Sequence, residues 1–389
     1  MSDGYGLLVV GGGPAGLAAA RGYRTAGGGG RVAIVTDEHR MPYNRPPLTK
    51  ELLRGESTEE ELPIESESWL VEHDVDLISG RAVTLDAQTR AVTLSGGREL
   101  TYRNCVLAPG AEPTRPPIPG CDRPGVRVIR TLDHLRELLA RLRDGEPVVV
   151  IGSGFIGCEI AASLRRRGHP VSLVSDEQWP NAARLGEEAG ARITGWLREE
   201  GVQAHLGHQV EQIESSEEQL ELVAGALRLR AATIVMATGI APRTEIAGAA
   251  GLALSEGAVP ADASLRTERS GLYVAGDVAF AANARAGRRL RVEHWGDALG
   301  QGEVAGRSAA GEDAVWDAVP GFWSTIGGHT LKYAAWGDGF DQSRLEAGDQ
   351  DAFTVWYGRA GRIVGVLAHD ADEHYERGRE LIAEGAPWR

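Results

Sequence analysis

Residues 6–16 decide the fold, and they read Gly-Leu-Leu-Val-Val-Gly-Gly-Gly-Pro-Ala-Gly. The apolar run predicts a short buried strand, and the glycines after it predict a tight turn into a helix over residues 17–20. A second apolar run at residues 31–35 is followed by Asp37 and Glu38. In such an order of strand, Gly-rich turn, helix and strand, the glycines let the backbone approach a pyrophosphate at the helix N-terminus, and an acid after the second strand binds a ribose.

The same order returns further along the chain. An apolar strand at residues 147–151 leads into Gly-Ser-Gly-Phe-Ile-Gly at residues 152–157, and a helix is predicted over residues 158–167. A second apolar strand at residues 171–174 is followed by Ser175-Asp176. Because a single Gly-x-Gly-x-x-Gly is a weak signal, the repetition of the whole arrangement is what makes a pair of dinucleotide sites the preferred interpretation.

Each copy also ends alike, with an apolar strand that runs into glycine, at residues 104–110 and 233–239. Between the copies, residues 113–124 contain five prolines and are typical of a linker, and residues 131–143 predict an amphipathic helix. The sequence therefore predicts two nucleotide-binding units, each a parallel sheet with crossover helices. Two dinucleotides suggest a flavin that stays bound and a nicotinamide that comes and goes, but the glycines do not decide which unit holds which.

Length and composition narrow the class of protein. The chain has 389 residues, which at roughly 150 residues per domain predicts two or three domains. Its 41 basic and 55 acidic residues give a net charge of −14, which would repel the phosphates of a nucleic acid. The first residues lack a basic leader, and the chain has no apolar run of about 18 residues, so we expect a soluble cytoplasmic protein without a membrane segment.

The three cysteines, Cys105, Cys121 and Cys158, form no Cys-x-x-Cys pair, and no histidines stand at metal-ligand spacing. This pattern argues against structural disulfides and against a metal site.

Four further stretches carry a resemblance to a known family. Residues 41–50 read Met-Pro-Tyr-Asn-Arg-Pro-Pro-Leu-Thr-Lys, residues 272–279 read Leu-Tyr-Val-Ala-Gly-Asp-Val-Ala, residues 291–302 run from Arg-Val-Glu-His-Trp to Gln-Gly, and residues 319–324 read Val-Pro-Gly-Phe-Trp-Ser. Residues 41–50 resemble a Pro-Tyr-x-Arg-Pro-Pro-Leu-Ser-Lys signature, and residues 272–279 resemble a second flavin motif whose Asp bonds the ribityl chain. Residues 291–302 resemble a segment that places an aromatic ring beside the isoalloxazine, and residues 319–324 resemble the start of a small C-terminal domain. All four resemble the FAD-dependent pyridine nucleotide-disulfide oxidoreductases, and more closely the bacterial NADH:ferredoxin reductases of oxygenase systems.

The resemblance implies an α/β fold of the glutathione-reductase type. Two three-layer, Rossmann-like dinucleotide-binding domains would be followed by a small α+β domain. Residues 1–112 and 240–312 would form a discontinuous FAD-binding domain, residues 113–239 the NAD(P)-binding domain, and residues 313–389 the C-terminal domain.

The resemblance also implies the site residues. Three would be catalytic: Lys50, Glu159 and Trp295, with Glu159 near the nicotinamide and paired with Lys50. The positions implied to contact FAD are Gly11, Gly13, Pro14, Ala15, Gly16, Asp37, Arg45, Lys50, Val83, Arg130, Gly276, Asp277 and Trp295. The positions implied to contact the nicotinamide cofactor are Gly152, Gly154, Phe155, Ile156, Gly157, Glu159, Ser175, Asp176 and Gly239.

Several of these residues have a plain structural alternative. Arg45 and Arg130 could be ordinary surface cations, and Val83 and Trp295 could be core residues. Glu159 could be an acid that complements the dipole at the start of its helix.

The type of reaction is narrowed by excluding chemistry that needs a cysteine near the flavin. Thiol chemistry on disulfides or peroxides would need cysteine near the flavin, and residues 36–50 contain none. What remains is hydride transfer from NADH to FAD and release of single electrons, by resemblance to a small two-iron, two-sulfur ferredoxin of an oxygenase, or to a rubredoxin. Because such ferredoxins are acidic, a basic cluster should dock them. The cluster we identify is Arg285, Arg288, Arg289 and Arg291, and a homodimer is left open.

Some features keep alternatives open. Asp176 favours NADH, because a carboxylate repels a 2′-phosphate, whereas the nearby Arg184 leaves NADPH open. Residues 325–333 replace the Asp-Gln that commonly follows Trp-Ser in the family, and we expect this segment to face the flavin edge. The rival functions are an NADH oxidase, diaphorase or quinone reductase without a protein acceptor, and an NADH-responsive redox sensor resembling apoptosis-inducing factors.

Overall fold

The structure is a computed structural model that describes residues 4–216 and 219–388. Its first unit is a mainly parallel sheet with strand order β3-β2-β1-β6, which continues into an antiparallel pair, β5 and β4. The elements are β1 (Tyr5–Val10), α1 (Pro14–Thr25), β2 (Val32–Thr36), α2 (Glu51–Arg54), α3 (Glu67–Glu72), β3 (Val75–Ser79), β4 (Ala82–Asp86), β5 (Ala91–Leu94), β6 (Glu99–Leu107) and β7 (Ala111–Pro113).

The first Gly-rich turn forms as predicted, between β1 and α1. Gly11 has φ of 124°, and a Cβ atom there would lie 1.9 Å from the carbonyl oxygen of Ala108. A Cβ atom at Gly16 would lie equally close to the carbonyl oxygen of Gly11. Glycine is required at both positions, because the strand ends and the helix approach each other too closely for a side chain.

The second unit repeats this arrangement, with a parallel sheet of order β11-β10-β9-β15-β8. Val148 and Val150 share a core with the helices, and Val149 and Ile151 share a core with an antiparallel sheet on the other face, so the unit has three layers. The elements are β8 (Val126–Arg127), α4 (Leu132–Arg141), β9 (Val148–Ile151), α5 (Phe155–Arg166), β10 (Val171–Ser175), α6 (Ala182–Glu199), β11 (Gln203–Leu206), β12 (Gln212–Ser216), β13 (Gln219–Ala224), β14 (Leu227–Ala231) and β15 (Thr233–Met236).

After the second unit the chain returns to the first sheet. β18 pairs in parallel with β6, and α8 lies against α1. On this pairing we propose that residues 1–112 and 240–312 form one discontinuous domain. The returning elements are β16 (Ile240–Pro242), α7 (Glu245–Ala249), β17 (Val259–Ala261), β18 (Leu272–Val274), β19 (Ala279–Asn283), β20 (Arg288–Arg291) and α8 (Trp295–Ala309).

The last unit is an antiparallel sheet of order β21-β22-β25-β24-β23 with one helix. Trp356 and Val366 share a core with Ile382 of that helix, whereas Val355 and Leu367 belong to the core of the second unit. The elements are β21 (Gly321–Ile326), β22 (His329–Ala335), β23 (Gln342–Ala347), β24 (Phe353–Arg359), β25 (Arg362–His369) and α9 (Asp372–Glu384). Across the described parts of the chain, no helix combines the length and apolarity needed to cross a membrane.

Candidate functional site

A cleft of about 1540 Å³ lies where the three units meet. Both Gly-rich turns border it, and the C-terminal unit contributes Phe322, Trp323 and Ser324. The sequence-predicted residues that line the cleft are Gly11, Gly13, Pro14, Ala15, Asp37, Arg45, Lys50, Val83, Arg130, Gly154, Phe155, Ile156, Glu159, Gly239, Gly276, Asp277 and Trp295. The structure therefore brings most of the predicted positions together.

Five predicted positions lie outside the lining: Gly16, Gly152, Gly157, Ser175 and Asp176. The three glycines are set behind the turns, where they allow backbones to touch. A Cβ atom at Gly157, for example, would lie 2.0 Å from the carbonyl oxygen of Gly152. Ser175 is buried and Asp176 is exposed to solvent.

The two helices that start at the cleft are suited to phosphate groups. Gly13 and Gly154 are the N-caps of α1 and α5, their Cα atoms face open space, and neither first turn contains an acid. The partial positive charge and the free backbone N–H groups at each helix N-terminus therefore face the cleft without a competing carboxylate.

A buried polar cluster joins the three units at the centre of the cleft. The Nζ atom of Lys50 lies 3.1 Å from Oε2 of Glu159, to which the Thr49 hydroxyl also donates at 2.6 Å. The hydroxyl of Ser324, from the C-terminal unit, donates to Oε1 of Glu159 at 2.7 Å. Lys50 comes from the first unit and Glu159 from the second, so the ion pair marks the place where ligands of the two turns would meet.

A second cluster orders the signature segment 41–50. Arg45 donates to Glu38 at 2.5 Å and to the carbonyl oxygen of Arg130 at 2.9 Å, and the Tyr43 hydroxyl donates to Glu38 at 2.5 Å. Burial raises the pKa of Tyr43 to about 12, so this hydroxyl keeps its proton. Arg45 is therefore not an ordinary surface cation, and Glu38, which the sequence reasoning missed, is the residue that fixes it. The sequence feature that pointed to Glu38 was its position directly after Asp37.

Asp277 stands at the end of β18, and Arg130 donates to its carboxylate at 2.5 Å. Asp277 is buried and belongs to the 3-10 turn Gly276–Val278, where Gly276 has φ of 75°. The backbone N–H of Gly276 donates to the side chain of Gln301 at 2.9 Å, which ties the turn to α8. Arg130 and Asp277, which were predicted separately, thus form an ion pair at the wall of the cleft.

Aromatic and apolar groups complete the wall. Trp295 begins α8 and its ring lies 6.3 Å from that of Trp323, which is 45% exposed. Val83 and Ile156 are also about half exposed, so Val83 is a cleft residue and not part of the core. Apolar side chains left open to solvent inside a cleft are what a planar ring system can cover.

The segment 325–333 differs from the expectation. Only Tyr333 of this segment lines the cleft among the described residues. His329 instead stacks on Trp196 of α6 with ring centres 4.5 Å apart, and Ile326 and Leu331 are buried in the second unit's core. The reason is strand alternation together with a tight turn at 327–328, which direct this hairpin against the second unit.

Glu177 is a further residue that the sequence reasoning missed. Its Oε2 atom accepts from the Ser153 hydroxyl within the second Gly-rich turn at 3.3 Å, and its Oε1 atom accepts from the Ala183 N–H at 3.3 Å. The Ser175 hydroxyl is used locally, since it accepts from Ser153. The available signal was the spacing, because Glu177 stands about 20 residues after the last glycine of the turn.

The cysteines lie away from this chemistry. Cys105 and Cys158 are completely buried, burial raises the pKa of both thiols, and Cys121 lies in the proline-rich linker. No cysteine lines the cleft within the described residues, and no group of three or more His, Cys, Asp or Glu residues there is placed to hold a metal ion.

The predicted basic cluster is largely paired. Arg285 contacts Asp317 at 3.2 Å, Arg288 contacts Asp338, and Arg291 lies 3.5 Å from Glu293. Arg289 donates to the backbone of Ala261 at 3.2 Å, and no acid pairs with it among the described residues.

The cleft fits two dinucleotides. Besides the helix N-termini and the exposed apolar walls, Trp295 Nε1 and Asn181 Nδ2 are buried donors without a partner in the described parts of the chain, and both residues line the cleft. Unpaired buried donors are costly, and ligand atoms would satisfy them.

Comparisons with known proteins agree with this geometry. The sequence model of the family described as pyridine nucleotide-disulphide oxidoreductase matches residues 5–302, and that described as reductase C-terminal matches residues 321–389. Apoptosis-inducing factor 3 of Homo sapiens is 30% identical over 385 residues, which cover 97% of this chain but only 63% of that protein. The ferredoxin reductase component of chlorobenzene dioxygenase from Cupriavidus sp. (strain PS12) is 30% identical over 380 residues, which cover 97% of this chain and 92% of that protein.

Two solved structures are similar over nearly the whole chain. The ferredoxin reductase for the CYP199A2 system from Rhodopseudomonas palustris has a TM-score of 0.92 at 30% identity, covering 98% of this chain and 95% of that one. The covalent putidaredoxin reductase-putidaredoxin complex has a TM-score of 0.92 at 26% identity, covering 98% of this chain and 93% of that one.

Proposed function

The chain belongs to the pyridine nucleotide-disulphide oxidoreductase family, and from that premise we propose that it is an FAD-dependent NADH:ferredoxin reductase. It would take a hydride from NADH and pass single electrons to a small iron-sulfur protein that serves an oxygenase. The observation that carries the proposal is the Lys50–Glu159 pair at the meeting point of two phosphate-binding turns, in a cleft whose described lining contains no cysteine.

The first unit has the groups to hold FAD. The turn at Gly11 to Ala15 would bind the pyrophosphate through backbone N–H groups, and Asp277 would bind the ribityl chain while Arg130 holds its carboxylate in place. Trp295 would cover the ring. When bound, FAD supplies a centre that takes up two electrons together and releases them singly.

The second unit has the groups to hold NADH. The turn at Gly154 to Ile156 would bind its pyrophosphate, and Gly239 would let the backbone pass close to the ligand. Glu159 would lie beside the nicotinamide, with Lys50 neutralising part of its buried charge. The hydride step needs no general base, so these residues act by placing the two rings together and excluding water.

A ferredoxin acceptor is supported by the names of the similar proteins, which include ferredoxin reductases and a complex with putidaredoxin. Trp323 stands 45% exposed beside Trp295 and would lie under a docked acceptor. The basic cluster would contribute to docking mainly through Arg289, because acids already pair with Arg285, Arg288 and Arg291.

The proposal is tested by anaerobic titration of the purified protein with NADH and, separately, NADPH, followed in the visible absorption of the flavin. We expect rapid bleaching by NADH and rapid reoxidation by an added two-iron, two-sulfur ferredoxin. A protein purified without flavin, or one whose reduced form transfers electrons to dyes but to no ferredoxin or rubredoxin, would overturn the assignment. The second of these outcomes would instead favour a diaphorase or quinone reductase.

The docking face is tested by charge reversal. R289E is expected to raise the KM for ferredoxin about tenfold at low ionic strength and to weaken its salt dependence. Because Arg289 also lines the cleft, the rate of NADH-driven dye reduction is measured in parallel, and the KM effect should exceed any change in that rate. R228E on β14 is the matched control, because Arg228 is an exposed arginine of the second unit outside the cleft lining. Equal effects of both variants would remove the basic cluster from the docking surface.

The 30% sequence identity to apoptosis-inducing factor 3 favours one further candidate function, that of an NADH-responsive redox sensor. In that case NADH would bleach the flavin slowly, turnover with any acceptor would stay low, and a long-wavelength charge-transfer band would persist. The same titration therefore separates the two functions.

A further inference from the structure

We infer that Ser324 is a positioning residue for Glu159, and that through Glu159 it sets the rate of electron uptake from NADH. The inference rests on the proposed function. It concerns a contact between the C-terminal unit and the second dinucleotide unit that neither Gly-rich turn nor the resemblance of the sequence assigns.

The contact is short and completely buried. Ser324 is 1% exposed and Glu159 is 2% exposed, and the serine hydroxyl donates to Oε1 of Glu159 at 2.7 Å. Thr49 and Lys50 both reach the other oxygen, Oε2. Among the hydrogen bonds of residues 4–216 and 219–388, Ser324 is thus the side-chain donor to Oε1.

The hydrogen-bond donors are distributed over both oxygens of Glu159, and this distribution fixes the plane of the carboxylate. Two donors on Oε2 constrain that oxygen alone, and a third donor on Oε1 also restricts rotation of the carboxylate about its Cγ–Cδ bond. A buried carboxylate oxygen without a donor is costly, so loss of Ser324 should turn Glu159 away from its present orientation. The charge at the cleft is then displaced.

The charge matters because of the reaction itself. In the proposed reaction NADH would give up a hydride, two electrons with one proton, to the flavin, and its nicotinamide ring would become cationic. Glu159, held beside that ring, would stabilise the developing positive charge, and fixed charges contribute most in sites from which water is excluded. Ser324 would raise the rate of this step by holding the carboxylate of Glu159 in place, without itself contacting the substrate.

The position of Ser324 in the chain adds a second reason. Ser324 directly follows the half-exposed Trp323 on β21, and strand alternation directs Trp323 to the mouth of the cleft and Ser324 to its centre. The C-terminal unit therefore contributes adjacent residues to the surface proposed for the acceptor and to the pair proposed for NADH.

The test uses three variants of the full-length holoprotein in anaerobic stopped-flow measurements. S324A removes the hydroxyl, S324T keeps it, and T325V is the matched control on the same strand, since Thr325 contacts Thr330 and not Glu159. We expect S324A to slow flavin reduction at saturating NADH about tenfold, as loss of one hydrogen bond to a charged group predicts, and S324T to recover most of the rate. Reoxidation of chemically reduced protein by a dye should be the same in all of them.

A purely structural serine would give a different pattern. S324A would then slow reduction and reoxidation alike, T325V would behave similarly, and the hydroxyl of S324T would not restore the rate. Any of these results would overturn the inference.

A measurement independent of turnover separates this inference from the proposed function. In denaturant unfolding of the holoprotein, S324A should lower the midpoint clearly in the wild-type background and much less in an E159Q background, because the charged acceptor is already gone. If the wild-type protein is not reduced by NADH, the proposed function fails, and equal effects of S324A in both backgrounds would overturn the Ser324–Glu159 coupling on its own.

Discussion

At the scale of single residues, we propose that coenzyme choice depends on the acids beside the second Gly-rich turn. Asp176, the acid predicted to favour NADH, is exposed to solvent, whereas Glu177 accepts from the Ser153 hydroxyl of the turn and from the Ala183 N–H at the start of α6. A carboxylate at this place can accept from ribose hydroxyls and repel a 2′-phosphate. Although neither acid lines the cleft, we propose that Glu177 takes the role predicted for Asp176.

E177Q tests this directly. We expect the affinity for NADH to fall about tenfold while that for NADPH changes less, because the variant loses a charged acceptor and a repulsive charge together. D176N is the control and should leave both affinities within about twofold. Equilibrium binding of NADH and NADPH to the chemically reduced protein, which cannot accept a hydride, measures both affinities, and a larger effect of D176N would return the role to Asp176.

The Lys50–Glu159 ion pair should be visible in stability. Lys50 and Glu159 are almost completely buried, so K50M leaves an uncompensated carboxylate in the interior and should cost about 3–5 kcal/mol of unfolding free energy. The double variant K50M/E159Q should recover most of this loss, because the buried charge is removed with its partner. The denaturant midpoints of the wild type, K50M and K50M/E159Q measure this recovery. A double variant as unstable as K50M would contradict the prediction.

At the scale of elements, the packing of α8 on α1 joins the returning chain to the first unit. Its closeness depends on glycine, since a Cβ atom at Gly302 would lie 2.2 Å from the carbonyl oxygen of Ala15, and one at Gly306 would lie 2.0 Å from that of Ala19. The helix backbones are therefore in contact along one face, and no other residue type fits there.

G306A should consequently destabilise the protein by about 1–3 kcal/mol or more through overpacking. G300A lies on the same helix with open space around its Cα atom, so it should be neutral or slightly stabilising, as alanine favours helix. Thermal unfolding of the pair measures the difference, and similar midpoints would show that the helices are not held this closely.

The hairpin turn at 327–328 is held at the end of α6 by Glu200 and Arg166. Arg166 donates to Glu200 at 2.6 and 2.9 Å, and these hydrogen bonds lower the pKa of Glu200. A lowered carboxylate pKa stabilises the folded state above the ordinary value of about 4.3, and the stabilisation is lost as the pH falls through the folded-state pKa.

E200Q should therefore be less stable than the wild type at pH 7, and the difference should shrink as the pH falls below about 4. The effect should be modest, because the pair is partly exposed to water. Thermal midpoints over a pH series test the sign, and a difference that grows at acid pH would contradict it.

At the scale of the whole molecule, the loop at 336–341 connects all three units. Asp338 contacts Arg288 of the first unit, and Phe340 faces the helix α6 where Gly186 interrupts it with φ of 75°. The C-terminal unit therefore lines one side of the cleft and contacts both dinucleotide units.

A charge exchange separates this internal contact from docking. R288E should lower the thermal midpoint by about 1–3 °C, because two acids then face each other, and the exchange R288E/D338R should restore it. The KM for ferredoxin, raised in R288E by the two facing acids, should return close to the wild-type value in the exchanged variant, because the pair is again neutral overall. A KM that stayed raised would show that Arg288 itself contacts the partner.

The two nucleotide-binding units follow from the amino-acid sequence alone. Residues 6–16 and 147–157 specify strand, turn and helix locally, because apolar runs form buried strands and only glycine tolerates the close backbone contacts of the turns. The positions of Lys50, Asp277 and Trp295 were implied by the resemblance of residues 41–50, 272–279 and 291–302 to family motifs, and all three line the cleft.

The side chains that meet across the units are known from the folded chain and not from local sequence patterns. Ser324 reaches Glu159 from 165 residues away in the chain, Arg288 is paired with Asp338, and Glu177 rather than Asp176 faces the second turn. Local patterns carry no record of such contacts, because they arise from the packing of separately specified elements. The resulting geometry determines which charges remain available to a coenzyme or a partner protein.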